Sequence, residues 1–217
     1  MKKIILNLIR SIFPKFFLIL KFQYLKRKPS DINEHLETLS KYASSCNSVF
    51  ETGVRGVVSS WALLHGISKN DSNIKTFVMN DIDMINTSSI MKVMNKLNID
   101  GEFIKGNNLD LDLKQNFELV FIDTLHVYGQ LKRELEKFSK VATKYIILHD
   151  TTVDADKSEV VRLGLDIKGI IEQTNYEEAE IVKGLWPAID EFLNSNEDWS
   201  LRKRYINNNG LTILEKN

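Results

Sequence analysis

The chain has 217 residues, 43% of them apolar and 27% charged, with 29 basic and 29 acidic residues and one cysteine. That length suits one domain with a real core, or a domain with an appendage. The even charge balance provides no field to gather nucleic acid. Cys46 alone cannot form an intramolecular disulfide and suits a reducing compartment, which predicts a cytoplasmic protein. No histidine or cysteine spacing suggests structural zinc.

The balance hides an asymmetry at the start. Residues 1–28 carry Lys2, Lys3, Arg10, Lys15, Lys21, Lys26, Arg27 and Lys28 and no acid, interleaved with apolar residues from Ile4 to Phe22. Pro14 and Lys15 interrupt the run, so no stretch approaches the ~20 residues a spanning helix needs. No small-residue cleavage site follows it. Two readings stay open. A basic amphipathic segment over 1–29 lies on the anionic inner face of a membrane, or it packs as a helix on the body or on another subunit of a homo-oligomer.

Residues 30–217 read as an α/β domain. Ser30 or Asp31 can cap a helix running to about Ser45, with His35 on it as a packed or solvated side chain. Val49-Phe50 opens a strand that ends in Glu51-Thr52-Gly53-Val54-Arg55-Gly56, and a helix carrying Ser59, Ser60, Trp61 and Leu64 follows. A strand, a glycine turn and a helix in succession present backbone N–H groups and a positive helix end to a ligand. The GxGxxG fingerprint is absent. His65 reads as a surface or helix-end residue. The next strand, 74–79, ends at Asn80-Asp81, where an acid can grip ribose hydroxyls or cap a helix over 84–98. Gly101–Lys105 is a third short strand, closed by the polar turn Gly106-Asn107-Asn108.

The organising stretch is 117–151. Leu119–Ile122 is an apolar run that stops at Asp123, Leu131, Leu135, Phe138 and Val141 keep helical spacing, and Tyr145–Leu148 stops at His149-Asp150. Strand, helix, strand in about thirty residues is a crossover that makes the strands parallel with their ends on one edge. Asp123, His126, His149 and Asp150 are therefore predicted to meet there as a polar or metal site rather than as separate caps. Residues 151–183 lack a clean period and read as a lid or substrate-recognition insertion. An amphipathic helix over 183–194 tolerates Pro187 in its first turn. Two β-rich runs flank Asn207–Gly210, a hairpin whose last strand should lie antiparallel at one side of the sheet. The fold class is α/β, a Rossmann-like doubly wound, mostly parallel seven-stranded sheet with an antiparallel C-terminal hairpin strand.

Glu51-Thr52-Gly53 after strand one, Asp81 after strand two, Asp123 after strand four and the closing hairpin together resemble class I S-adenosylmethionine-dependent methyltransferases. FIDTLHVYGQLKREL, YIILHDTT and GLWPAIDEFL look like family 24, with its cephalosporin-hydroxylase-like and macrolide or sugar O-methyltransferases. The likeness spans about residues 31–215. It implies S-adenosyl-L-methionine as cofactor and O-methylation of a hydroxyl on a sugar, glycan or other small molecule. On that likeness Glu51, Gly53 and Gly56 frame the methionine end, Asp81 holds the ribose and Gly106-Asn107 flanks adenine. Thr52, Arg55, Ser59 and Asp123 complete the set of cofactor candidates. Some relatives hold Mg²⁺ at positions that fall on Asp123, His149 and Asp150. Imidazole at His149 suits Mn²⁺, Fe²⁺ or Zn²⁺ better, which leaves metal dependence open. Relatives also usually carry glycine near Val57.

Methyl transfer asks the protein to position an acceptor oxygen and remove its proton. His126 is the candidate base. Asp123 and His149 complete the catalytic set, His149 as a third ligand or as an orienting partner of Asp150. Two alternatives remain, a metal-dependent enzyme of the same fold with another reaction, or a non-catalytic membrane-surface or assembly protein.

Overall fold

A computed structural model describes residue 10 and residues 12–217. Of the N-terminal reading, Lys2 to Ile9 therefore lie outside the described residues. No helix among the described residues is long and apolar enough to cross a membrane. The chain forms two compact units, one of Met1–Asn108 with Phe117–Leu119 and one of Leu109–Asn116 with Val120–Asn217.

In the first unit helix α1 is Pro14–Arg27, a 3₁₀ turn covers Asn33–His35, and α2 is Leu36–Ala43. Strand β1 (Ser48–Thr52), helix α3 (Val58–Ile67), β2 (Thr76–Asp81), α4 (Ser88–Lys96) and β3 (Asp100–Lys105) follow. β1, β2 and β3 pair in parallel, with Val49 opposite Phe77 and Phe77 opposite Gly101. The capped helix expected from Ser30 or Asp31 begins later, because Ser30 donates its backbone N–H to Asn33 Oδ1 at 3.0 Å and the chain turns there as 3₁₀.

α3 is buried from Ser59 to Ile67, as a helix apolar on all sides should be. Gly66 allows α2 to approach it, since a Cβ at Gly66 would meet the Ser40 carbonyl oxygen. α1 packs on it through Leu18 and Phe22, and Phe17 meets Trp61 edge-on at 5.9 Å. The described part of the N-terminal segment is thus a helix lying on the body.

His65 corrects the surface reading. It is buried, shares a hydrogen bond of 2.8 Å through Nδ1 with Ser40 Oγ, and stacks on Phe22 with ring centroids 3.9 Å apart. A helix that packs on every side leaves no solvated position for it.

The second unit holds the last residues of β4 (Phe117–Ile122), α5 (Tyr128–Phe138) and β5 (Ala142–His149). The short helices α6 (Glu159–Arg162), α7 (Ile167–Thr174) and α8 (Glu178–Val182) come next, then α9 (Trp186–Ser195), β6 (Trp199–Tyr205) and β7 (Leu211–Lys216). β7 runs antiparallel to β5, with Ile147 opposite Ile213, and antiparallel to β6 on its other side. The sheet order is β3-β2-β1-β4-β5-β7-β6, the mostly parallel sheet with an antiparallel closing hairpin that the sequence predicts. Residues 151–183 include short helices and pack Val160, Tyr176 and Ile181 into a small apolar cluster with Val127.

Burial, then the nearby Lys69 and Lys26 charges, lowers the His65 pKa from 6.5 to about 4. An unfolded chain protonates this ring first as pH falls, so the stabilising contribution is full above about 6.5 and lost on descent toward 4. At about 1.4 kcal/mol per unit the loss has a ceiling of about 3 kcal/mol. Denaturant unfolding between pH 7 and 4 should show that fall in the native protein and a flatter dependence in His65→Gln.

Candidate active site

In the first unit the loop after β1 is held from β2. Glu51 and Thr52 end β1 in the core, and Gly53 turns the chain with φ 86°, a conformation that favours glycine. Its N–H donates to Asn80 O at 2.9 Å. The next two N–H groups, of Val54 and Arg55, both donate to Asp81 Oδ2, at 2.9 and 2.8 Å. Asp81 Oδ1 accepts from Asp83 N at 3.0 Å. Asp81 does not cap a helix, because α4 starts at Ser88 with Thr87 as its unbonded N-cap. It braces the loop instead.

The braced loop is strained. Arg55 has φ 32° and Val57 has φ 58°. A β-branched residue in the left-handed region costs on the order of 1–3 kcal/mol. At Val57 the loop takes a glycine-like backbone on a β-branched residue.

Arg55 directs its guanidinium outward to Asp31 at 2.6 Å, with its side chain 82% exposed, so only its backbone N–H serves the loop. Ser59 donates to Glu51 Oε1 at 2.5 Å, fixing that carboxylate beneath the turn. Thr52 Oγ1 donates to Asn80 Oδ1 at 2.8 Å and accepts from Asn108 Nδ2 at 3.1 Å. Asn80 Nδ2 donates to the Ile104 and Gly106 carbonyls at 2.9 and 3.0 Å. These bonds tie together the ends of β1, β2 and β3. Asn107 is exposed beside this network, and Asn108 is the buried member. Gly56 faces open space apart from Val58 at 3.6 Å.

In the second unit the residues after β4 and β5 converge. Asp123 Oδ1 lies 3.2 Å from His126 Nε2 and 3.3 Å from His149 Nδ1. His126 Nδ1 lies 3.1 Å from Asp150 Oδ2, 3.3 Å from Asp154 Oδ2 and 3.5 Å from Glu159 Oε2. None of these three makes an aligned hydrogen bond to that nitrogen. Asp150 takes a left-handed backbone with φ 56°, and its Oδ1 is buried without a hydrogen bond. His126 also exchanges backbone contacts with α6, its N–H donating to Glu159 Oε1 at 2.8 Å and its carbonyl accepting from Glu159 N at 3.2 Å. Asp154 is fixed from behind by Arg162 Nε at 2.6 Å. Neither Asp123 nor Asp150 caps a helix, since α5 has Val127 as its unbonded N-cap and α6 has Ser158.

Charge balance sets the protonation states. Burial alone would lower the His126 pKa, but the carboxylates of Asp123, Asp154 and Glu159 close to its ring nitrogens raise it well above the ordinary imidazole value. His149 is raised in the same way against burial, chiefly by Asp123. Burial pushes Asp123 up, yet the two imidazoles hold it well below the usual carboxylate range. Asp150 goes the other way, because burial outweighs the neighbouring imidazole charges. The raised pKa favours the charged imidazolium at His126 among these carboxylates, while burial raises the basicity of Asp150.

The same groups form two candidate cation sets, open to a metal only when His126 is neutral. Ligand atoms of Asp123, His126 and Asp150 fall within 4.8 Å of one another, as do those of His126, Asp154 and Glu159. Oxygen and imidazole donors together match Mn²⁺, Fe²⁺ or Zn²⁺ as well as Mg²⁺.

Asp154 and Glu159 have a faint sequence signal, a second acid four residues after Asp150 and an acid directly after the helix-capping Ser158. Asn80 and Asn108 have no motif of their own.

No protein-family model matches the chain, and no curated protein matches it by sequence. Solved structures do. The O-methyltransferase from Bacillus cereus, in complex with SAH, is 16% identical with a TM-score of 0.55, over 97% of this chain and 96% of that one. The methyltransferase PaMTH1 of Podospora anserina, bound to SAH, is 14% identical with a TM-score of 0.54, over 92% and 87%. The O-methyltransferase TomG of Streptomyces achromogenes, in complex with SAM, is 12% identical with a TM-score of 0.51, over 97% and 94%. At these identities the likeness is one of fold, the seven-stranded α/β Rossmann-like methyltransferase fold.

Replacing His126 by Gln should leave four acids facing one another without their cation. Urea unfolding at pH 7 should show a loss of about 3 kcal/mol, the scale for breaking a buried charge pair. Part of that loss should return at pH 5 as the carboxylates protonate. Equal losses at both pH values would contradict the charge reading.

Proposed function

We propose that this protein is an S-adenosylmethionine-dependent O-methyltransferase acting on a hydroxyl of a small molecule, a sugar or glycan being the class the sequence motifs favour. The observation that carries the proposal is the bracing of the Gly53–Arg55 turn by Asp81. A glycine turn opening onto a helix, with an acid from the next strand end set beside it, is how nucleoside ligands are held in open α/β sheets. The neighbours in complex with SAH or SAM support that reading.

Asp81 retains the capacity to accept a ribose hydroxyl, because Oδ1 accepts a bond from Asp83 N and a carboxylate offers about four lone-pair sites. Glu51, Gly53 and Gly56 frame the methionine end, Thr52 and Ser59 fix the floor beneath it, and Asn107 flanks the adenine. S-adenosylmethionine supplies a methyl group on a sulfonium, an electrophile that needs little further activation. The chain's part is to orient the acceptor and receive its proton. Asp123 and Glu159, each 20% exposed in its side chain, are the most open members of the cluster, with His126 at 12% and Asp150 at 9% beside them. Asp150, with its basicity raised by burial, takes the hydroxyl proton as the new C–O bond forms. Should a divalent cation be used, Asp123 and Asp150 would hold it with His126 or His149, and it would acidify the hydroxyl.

Calorimetry with S-adenosylmethionine tests the cofactor half. Binding by the native protein is expected, weakened at least about tenfold in Asp81→Ala by loss of a charge-assisted hydrogen bond. No detectable binding by the folded native protein would remove the proposal. For the acceptor half, Asp150→Asn should keep cofactor affinity while lowering kcat by roughly 10²–10⁴, the scale of a lost general base.

A further inference from the structure

We infer that the outward face of α1 docks the protein on an anionic lipid surface. The helix has two apolar rows. Leu18, Phe22 and Leu25 point inward and are buried. Phe13, Phe16, Leu20 and Tyr24, again spaced by three and four, point outward and are 61%, 54%, 46% and 58% exposed. Ile12 and Ile19 widen the outward row and are also exposed. A contiguous exposed strip of this kind on a well-packed helix marks an interaction site.

The charges choose the occupant. By helical spacing Lys15 and Lys26 flank the outward row on one side and Lys21 and Lys28 on the other, with Arg27 at its end. Residues 10–28 contain no acid. The next acids in the chain are Asp31, Glu34 and Glu37, of which Asp31 is engaged by Arg55 at 2.6 Å and Glu37 by Lys26 at 2.7 Å. A second copy laid on this face would bring cation against cation with no acid to balance them. A sheet of lipid phosphates beneath an acyl layer matches both features, with aromatic rings entering the interface and long basic side chains reaching the headgroups. Lys21 already lies over the Tyr24 and Trp61 rings at 5.7 and 5.8 Å, so its stem follows the aromatic surface.

The test is sedimentation of the full chain with vesicles of phosphatidylcholine alone and of phosphatidylcholine mixed with phosphatidylglycerol. Binding to the anionic vesicles is expected, and weak or no binding to the neutral ones. Lys15→Gln/Arg27→Gln/Lys28→Gln should weaken partitioning about 100-fold, at about fivefold per basic residue. Phe16→Glu/Leu20→Glu should abolish it while melting at the native temperature, since both side chains lie on the exposed face. Equal binding to both vesicle types, or binding to neither, overturns the inference. So does a native dimer, seen by light scattering, that Phe16→Glu/Leu20→Glu converts to a monomer.

Discussion

One imidazole holds four carboxylates together. Asp123 faces Nε2 of His126, and Asp150, Asp154 and Glu159 crowd its Nδ1 within 3.5 Å. Buried acids this close repel strongly unless a cation sits among them. The proton on His126 plays that part, and it explains why Asp123 titrates low while His126 titrates high. The same contacts order the segment after β5. Glu159 anchors the start of α6 to the His126 backbone, and Asp154 engages Arg162. A stretch that lacks periodicity in sequence is thus organised by charge as well as by its small apolar cluster.

In the first unit a single carboxylate does comparable work. Asp81 gathers two successive N–H groups of the loop after β1 and one of its own following turn. Those bonds oppose the backbone strain at Arg55 and Val57. Strain and buried charge collect at the polar ends of the strands, while the bodies of β1, β2, β4 and β5 are mostly buried. That separation is usual where a stable scaffold carries a site.

The sheet was legible because β2, β4 and β5 are short apolar runs that stop at polar residues, at Asp81, Asp123 and His149. Strand ends announce themselves when the residue types change abruptly. The convergence of Asp123, His126, His149 and Asp150 followed from crossover topology alone. Other features were not legible for definite reasons. His65 lies in a helix whose burial on all sides depends on α1 and α2, which a single-helix pattern does not reveal. Asp154 and Glu159 approach His126 through turns without a period. The raised pKa of His126 depends in part on those two acids, which no motif in the sequence brings to it. Helix starts also moved, the one expected at Ser30 giving way to a 3₁₀ turn fixed by Asn33.

The most direct test of the account is a crystal structure of the protein soaked with S-adenosylhomocysteine. The account predicts the ribose hydroxyls on the Asp81 carboxylate, with the amino-acid end of the ligand over Gly53. Ligand density elsewhere on the protein, or an Asp81 carboxylate still bonded only to Val54, Arg55 and Asp83 at saturating ligand, would contradict it.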